Sequence, residues 1–152
     1  MKKLKTFIVI ILLIASVPLS AQQQPYYFNK ILEGGFEEIT EKLISALKNE
    51  GFGVITEIDM HNTLKEKLPD VELKPYKILG VCNPGFAYKT LQIEENIGIF
   101  LPCKALVKEL GEEKTEVVIV NPAAVMSMLG KPELVEIATE VSEKFESALN
   151  KL

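Results

Sequence analysis

The C-terminal segment constrains the fold more than any other part of the chain. From Pro132 onward, Leu134, Ile137, Ala138, Val141, Phe145 and Ala148 recur at the helical period over several turns, with charged residues between them. A helix with one long apolar stripe has to bury it, and the flat apolar partner that suits it is a sheet. The expectation is therefore a final helix lying across strands supplied by the preceding sequence.

Those strands alternate with helices. Residues 26–32 read as a first strand ahead of Gly34-Gly35. From Phe36, the spacing of Ile39, Leu43, Ala46 and Leu47 predicts an amphipathic helix, with Glu37 and Glu38 in its first turn and Lys48 in its last. Gly51 suits a left-handed stop, and residues 52–58 predict a strand with Phe52, Val54, Thr56 and Ile58 on one face. Asp59 is placed to cap a short helix carrying Met60, Leu64 and Leu68, which Pro69 ends. Residues 76–82 return to strand character, and Asn83-Pro84 opens a helix running to about Ile93. Residues 97–101 read as another apolar strand. A hairpin follows, residues 105–110 against 116–121 across Gly111-Glu112-Glu113. Asn121-Pro122 repeats the cap-and-proline device and opens a short segment through Val125 and Met128 that stops at Gly130. The fold class is α+β, a single compact domain with a mixed sheet and helices packed on it.

The N-terminus carries a different message. Lys2, Lys3 and Lys5 are followed by residues 7–17, apolar apart from Ser16, and then by the small residues Ser20 and Ala21. That order is the one a secretory signal peptide presents, with cleavage expected after Ala21 and a single domain over residues 22–152. The apolar run is shorter than the roughly 20 residues a membrane span needs, and Pro18 breaks it. No cysteine sits at the processing site for lipid attachment. The expected location is exported, periplasmic or extracellular, with no membrane span in the mature chain.

Removing the leader leaves 14 basic residues against 21 acidic ones, a net charge of −7. An acidic surface repels phosphate backbones, and the chain contains no arginine, the side chain best suited to bidentate phosphate or base recognition. Both observations argue against nucleic-acid binding.

Both cysteines of the chain, Cys82 in LGVCNP and Cys103 in IFLPC, stand where an apolar segment stops. Strand ends facing helix starts are common places for binding groups, which makes Cys82, Asn83 and Cys103 the first candidates. If residues 76–82, the following helix and residues 97–101 form a right-handed crossover, the two strands are parallel and the thiols lie near one edge. A disulfide is then within reach in an oxidising compartment, although cysteine is also a common buried hydrophobe. Two buried thiols stand slightly ahead of a disulfide, with a redox or metal pair third. Glu57, Asp59 and His61 end another strand, and a sheet that gathered all these ends would build a soft-metal site. No Cys-x-x-Cys or His-x-x-x-His spacing supports it, so Asp59 as a cap, Glu57 facing water and His61 as an exposed first-turn residue is the preferred reading. Nucleophilic hydrolysis has no support, because no serine lies in an elbow or triad context.

The strings GFGVITEIDM, LKEKL, PYKILGVCNPGFAY and IGIFLPC, in that order, resemble the domain-of-unknown-function family 302 (DUF302) over residues 26–125. The resemblance implies a compact α+β domain that self-associates, possible homodimer included, and no established activity. Lys104 stands where the resemblance leads one to expect asparagine. The functional expectation is a non-enzymatic ligand-binding or protein-interaction module. The alternative is a thiol-based redox or metal-handling protein using Cys82 and Cys103.

Overall fold

The computed structural model describes residues 24–152, so the leader read from the sequence lies outside the described residues. Five strands form one sheet: β1 (Tyr27–Glu33), β2 (Gly53–Asp59), β3 (Tyr76–Cys82), β4 (Cys103–Gly111) and β5 (Lys114–Val120), in the spatial order β1-β5-β4-β3-β2. The helices are α1 (Phe36–Asn49), α2 (Met60–Lys67), α3 (Pro84–Ile93), α4 (Pro122–Ser127) and α5 (Pro132–Asn150), with a 3-10 segment over Glu95–Phe100.

The α+β class, the hairpin and the final helix are as expected. Every neighbouring pair of strands is antiparallel, so the mixed sheet and its parallel crossover are corrected. The fault lies at residues 97–101. A short apolar run does not distinguish strand from helix, and here the Glu94 side chain accepts from the Asn96 N–H at 3.1 Å and starts a 3-10 turn. Ile97 is buried against Met126, Leu134 and Ala138 rather than paired in a sheet.

The core forms where α1 and α5 cover one face of the sheet. Ile39, Leu43 and Leu47 from α1 meet Phe145 and Ala148 from α5 over Leu79, Val81, Val107, Val117 and Ile119. Phe145 is fully buried, which alone is worth roughly 1.5–3 kcal/mol. Gly51 ends α1 at φ 87°, where a glycine carries no steric penalty, and the Phe52 N–H returns to the Leu47 carbonyl at 3.0 Å.

β2 departs from simple alternation. Val54 pairs with Val81, but Thr56 pairs with Gly80, which leaves Ile55 as a bulge. One extra residue reverses the parity of everything after it. Phe52 and Val54 therefore belong with the core, whereas Thr56 and Ile58 turn to the opposite face, correcting the expectation that all four share one side.

The strand directions bring particular termini together. The C-terminal ends of β3 and β5 and the N-terminal ends of β1, β2 and β4 lie at one end of the sheet, as the pairs Gly53↔Cys82, Val81↔Cys103 and Tyr27↔Val120 show. Both Asn-Pro helix starts follow from this end.

Candidate functional site

Asn83 accepts from the N–H groups of Gly85 (2.9 Å) and Phe86 (3.1 Å), satisfying two otherwise unpaired donors at the start of α3. Its Nδ2 donates to the Gly51 carbonyl at 2.8 Å and so ties α3 to the turn before β2. Asn121 works in the same way at α4. Its Oδ1 accepts from the Ala124 N–H at 3.4 Å and from the Ser142 hydroxyl at 2.9 Å, while its Nδ2 donates to the Pro25 carbonyl at 2.9 Å. These asparagines open the two helices and leave a gap between them.

That gap is a cleft between the two apolar clusters of the domain. Val81, Phe52 and Val141 of the main core form one wall, and Ile97, Met126 and Ala138 of the smaller cluster form the other. Phe86, Thr90 and Phe100 line its approach, and Cys103 with Cys82 lies at the sheet end. The space is narrow, about 60 Å³, which exceeds the roughly 10–15 Å³ that one water occupies on the same measure. Its lining is almost entirely apolar. Asn83 borders it, but both ends of the asparagine amide are already hydrogen-bonded.

Cys82 and Cys103 end adjacent strands, as expected, but through an antiparallel pair rather than a crossover. Val81 is the residue opposite Cys103, so the alternation of side chains carries Cys82 and Cys103 toward opposite faces of the pleat. Both are free thiols. Their environments differ accordingly. Burial, with a smaller contribution from neighbouring Cys82, pushes the Cys103 thiol from 9.0 up to about 11. Burial also raises Cys82, and less strongly. Neither is the depressed, thiolate-rich cysteine that nucleophilic or exchange chemistry uses.

Glu57, Asp59 and His61 do not join this site. Asp59 pairs with Lys77, five residues along β3 from Cys82, which puts it about 17 Å away at strand rise. Asp59 caps α2, accepting from the Asn62 N–H at 2.9 Å and from Asn62 Nδ2 at 2.7 Å. Glu57 faces water, as expected, while its carboxylate pairs with Lys77 at 3.0 Å, and Glu37 approaches the same ammonium at 3.3 Å. His61 is half-buried, not exposed, with its Nδ1 2.5 Å from the Leu73 carbonyl, pinning the loop before β3. Among the described residues no group of three or more His, Cys, Asp or Glu side chains converges on a point that could hold a metal ion. Lys104, at the position where asparagine was expected, donates to the Pro102 carbonyl at 2.6 Å beside the cleft-forming segment.

Of the nearby aromatic residues Phe86 lines the cleft, whereas Tyr88 is exposed and Tyr76 lies at the opposite end of β3. Ile97, Phe100, Met126 and Ala138 had no functional signal in the sequence, because each is an ordinary apolar residue until the two clusters meet.

Among the described residues no helix is long and apolar enough to cross a membrane. No curated protein matches the chain. A crystal structure of an uncharacterized conserved DUF302 protein from Bacillus stearothermophilus is similar over 83% of this chain and 97% of its own, at 32% identity and a TM-score of 0.76. The match to the family described as "Domain of unknown function DUF302" spans residues 28–152 and so takes in α5, which the sequence strings alone did not reach. The chain belongs to the DUF302 family.

Proposed function

We propose that this domain is an exported, non-enzymatic binding module that takes a slender apolar group into the cleft between α3, the 3-10 segment, α4 and α5. The observation that carries this reading is the cleft itself: an apolar space at the strand ends, open to solvent, whose bordering polar groups are already paired. Apolar pockets with few convergent polar groups bind by burial, and nothing in this lining is arranged to transfer a proton or attack a carbonyl. The raised thiols favour binding over thiol exchange, and their opposite-facing placement disfavours a shared metal.

The test uses 1-hexanol as the probe, because an unbranched chain fits a narrow seam. It should raise the melting temperature in a concentration-dependent way and perturb the methyl resonances of Ile97, Met126 and Val141. Ala87→Phe, which fills the approach from the half-buried face of α3, should weaken binding at least about tenfold. Unchanged resonances in the parent protein, or equal binding by the filled variant, would remove the cleft from consideration. Export is tested separately by mass analysis of the native protein: a chain beginning at Gln22 supports it, and a retained Met1 in a membrane fraction refutes it.

A further inference from the structure

The polar chemistry of the cleft differs between its interior and its mouth. Inside, the amide and hydroxyl groups of the lining are already engaged. The Asn83 amide is bonded at both ends, and the Thr90 hydroxyl donates to the Ala87 carbonyl at 2.9 Å. The Gly85 and Phe86 N–H groups, donors that could otherwise hold an anion at the start of α3, are taken by Asn83. Burial keeps the Cys103 thiol protonated at neutral pH, so the base of the cleft adds no charge of its own. A ligand entering this space therefore keeps any charged end outside, and the groups at the mouth decide which sign that charge has.

Lys89 stands at that mouth. It lies three residues after Phe86 on α3, and its Nζ is 5.8 Å from the centroid of the Phe86 ring, which lines the approach. Attraction to an aromatic face positions an ammonium without neutralising it. Lys89 is exposed, and among the described residues it forms no ion pair. The charges around it are balanced by others. Glu94, just past the end of α3, pairs with Lys131. On α5, which supplies Ile137 and Val141 to the cleft, Glu140 and Lys144 are of opposite sign. Lys89 is thus the excess charge where the cleft opens.

We propose, resting on the cleft reading above, that the ligand is an unbranched aliphatic monocarboxylate, its chain in the cleft and its carboxylate at the Lys89 ammonium. The flexible lysine stem lets the ammonium swing from the Phe86 ring to a head group held at the mouth. One ammonium suits one carboxylate, whereas a phosphate head group calls for the bidentate arginine that this chain lacks. Burial of the chain supplies the affinity, and the solvated ion pair chooses among ligands of equal chain length.

Three probes with the same six-carbon chain decide it: hexanoate, 1-hexanol and hexylammonium, titrated at neutral pH and low salt, where ion pairing is least screened. Hexanoate should bind about threefold more tightly than 1-hexanol and about tenfold more tightly than hexylammonium. Lys89→Glu, at an exposed position, should place hexylammonium ahead of hexanoate while leaving 1-hexanol within about twofold of its parent affinity. Lys65→Glu makes the same change of net charge on α2, at the other end of the sheet, and should leave the order intact. Hexanoate binding no better than the alcohol in the parent overturns this inference and leaves the cleft standing. So does an order that survives Lys89→Glu, or one that Lys65→Glu reverses equally. Failure of 1-hexanol itself to bind removes the cleft and this inference together.

Discussion

The two ends of the sheet carry the chain's polar chemistry in opposite ways. At one end Glu57, Asp59, His61 and Lys77 are committed to one another, to a helix start or to a backbone carbonyl. At the other end, the asparagines are just as fully committed, yet the helices they start border an apolar cleft with a thiol at its base. Titratable residues therefore mark structure at the first end, and ordinary apolar residues mark the candidate site at the second.

The largest effect that tests this contrast is thiol reactivity. With the Cys103 thiol raised from 9.0 to about 11, its thiolate fraction below pH 9 is about 100-fold lower than that of an ordinary thiol. Iodoacetamide at pH 8, followed by peptide mass analysis, should label Cys82 well ahead of Cys103. Faster labelling of Cys103 would make the cleft a reactive site and restore the thiol-exchange reading.

Next in size is a pair of glycine substitutions that separates the tight sheet from the looser cleft wall. A Cβ on Gly80 would fall 2.1 Å from Thr56 Oγ1 and 2.6 Å from Pro102 Cγ, and the proline ring has little freedom to move. Gly80→Ala should cost about 2 kcal/mol in chemical unfolding. Gly98, in the 3-10 segment, has nothing within 4 Å of the position a methyl group would take, and Gly98→Ala should change stability by no more than about 0.5 kcal/mol. Equal costs at both positions would mean that the 3-10 wall is as tightly packed as the sheet.

Local patterning made much of the fold readable. The cap-and-proline signal at Asn83 and Asn121, the period of α1 and α5, and the hairpin around Gly111 each depend on neighbours within one or two turns of chain. What was not readable depended on distant partners. Residues 97–101 are apolar enough for a strand and instead form part of a 3-10 wall, where Ile97 packs against the distant Met126, Leu134 and Ala138. The Ile55 bulge reverses the faces of Thr56 and Ile58 only because β3 lies alongside. The adjacency of the cysteines was legible, but their opposite facing follows from a register that no local pattern carries. The cleft was the least legible feature, since it is the space left where two apolar clusters fail to merge.

A smaller effect compares the caps at the two ends directly. Asp59→Ala removes the α2 cap and should cost about 1 kcal/mol. Asn83→Ala removes a comparable cap and also the donor to the Gly51 carbonyl, so its cost should be greater, about 1.5 kcal/mol. Thermal unfolding of both variants ranks them. Amide exchange at Gly85 and Phe86 should accelerate in Asn83→Ala alone, showing the loosening to be local to the cleft. The reverse ranking would place the more demanding tie at the carboxylate end.

The smallest effect concerns Lys77, whose side chain is mostly buried beneath two largely exposed carboxylates. Burial pulls its pKa down, but hydrogen bonding to Glu57 and then Glu37 outweighs that, and the group ends above its ordinary 10.5. A folded-state value above the unfolded one stabilises the protein fully below pH 10.5, and the contribution is lost as pH rises through the folded value. Lys77→Met keeps an apolar stem and removes the charge that lies 5.6 Å over the Phe36 ring, leaving Glu37 and Glu57 hydrated rather than buried and unpaired. At neutral pH it should cost less than about 1 kcal/mol, because solvent screens both carboxylates. Its stability should also fall less steeply than the parent's between neutral pH and the strongly alkaline range. A cost of several kcal/mol at neutral pH, or identical alkaline slopes, would show that the carboxylate end is held together by something other than this ion-paired lysine.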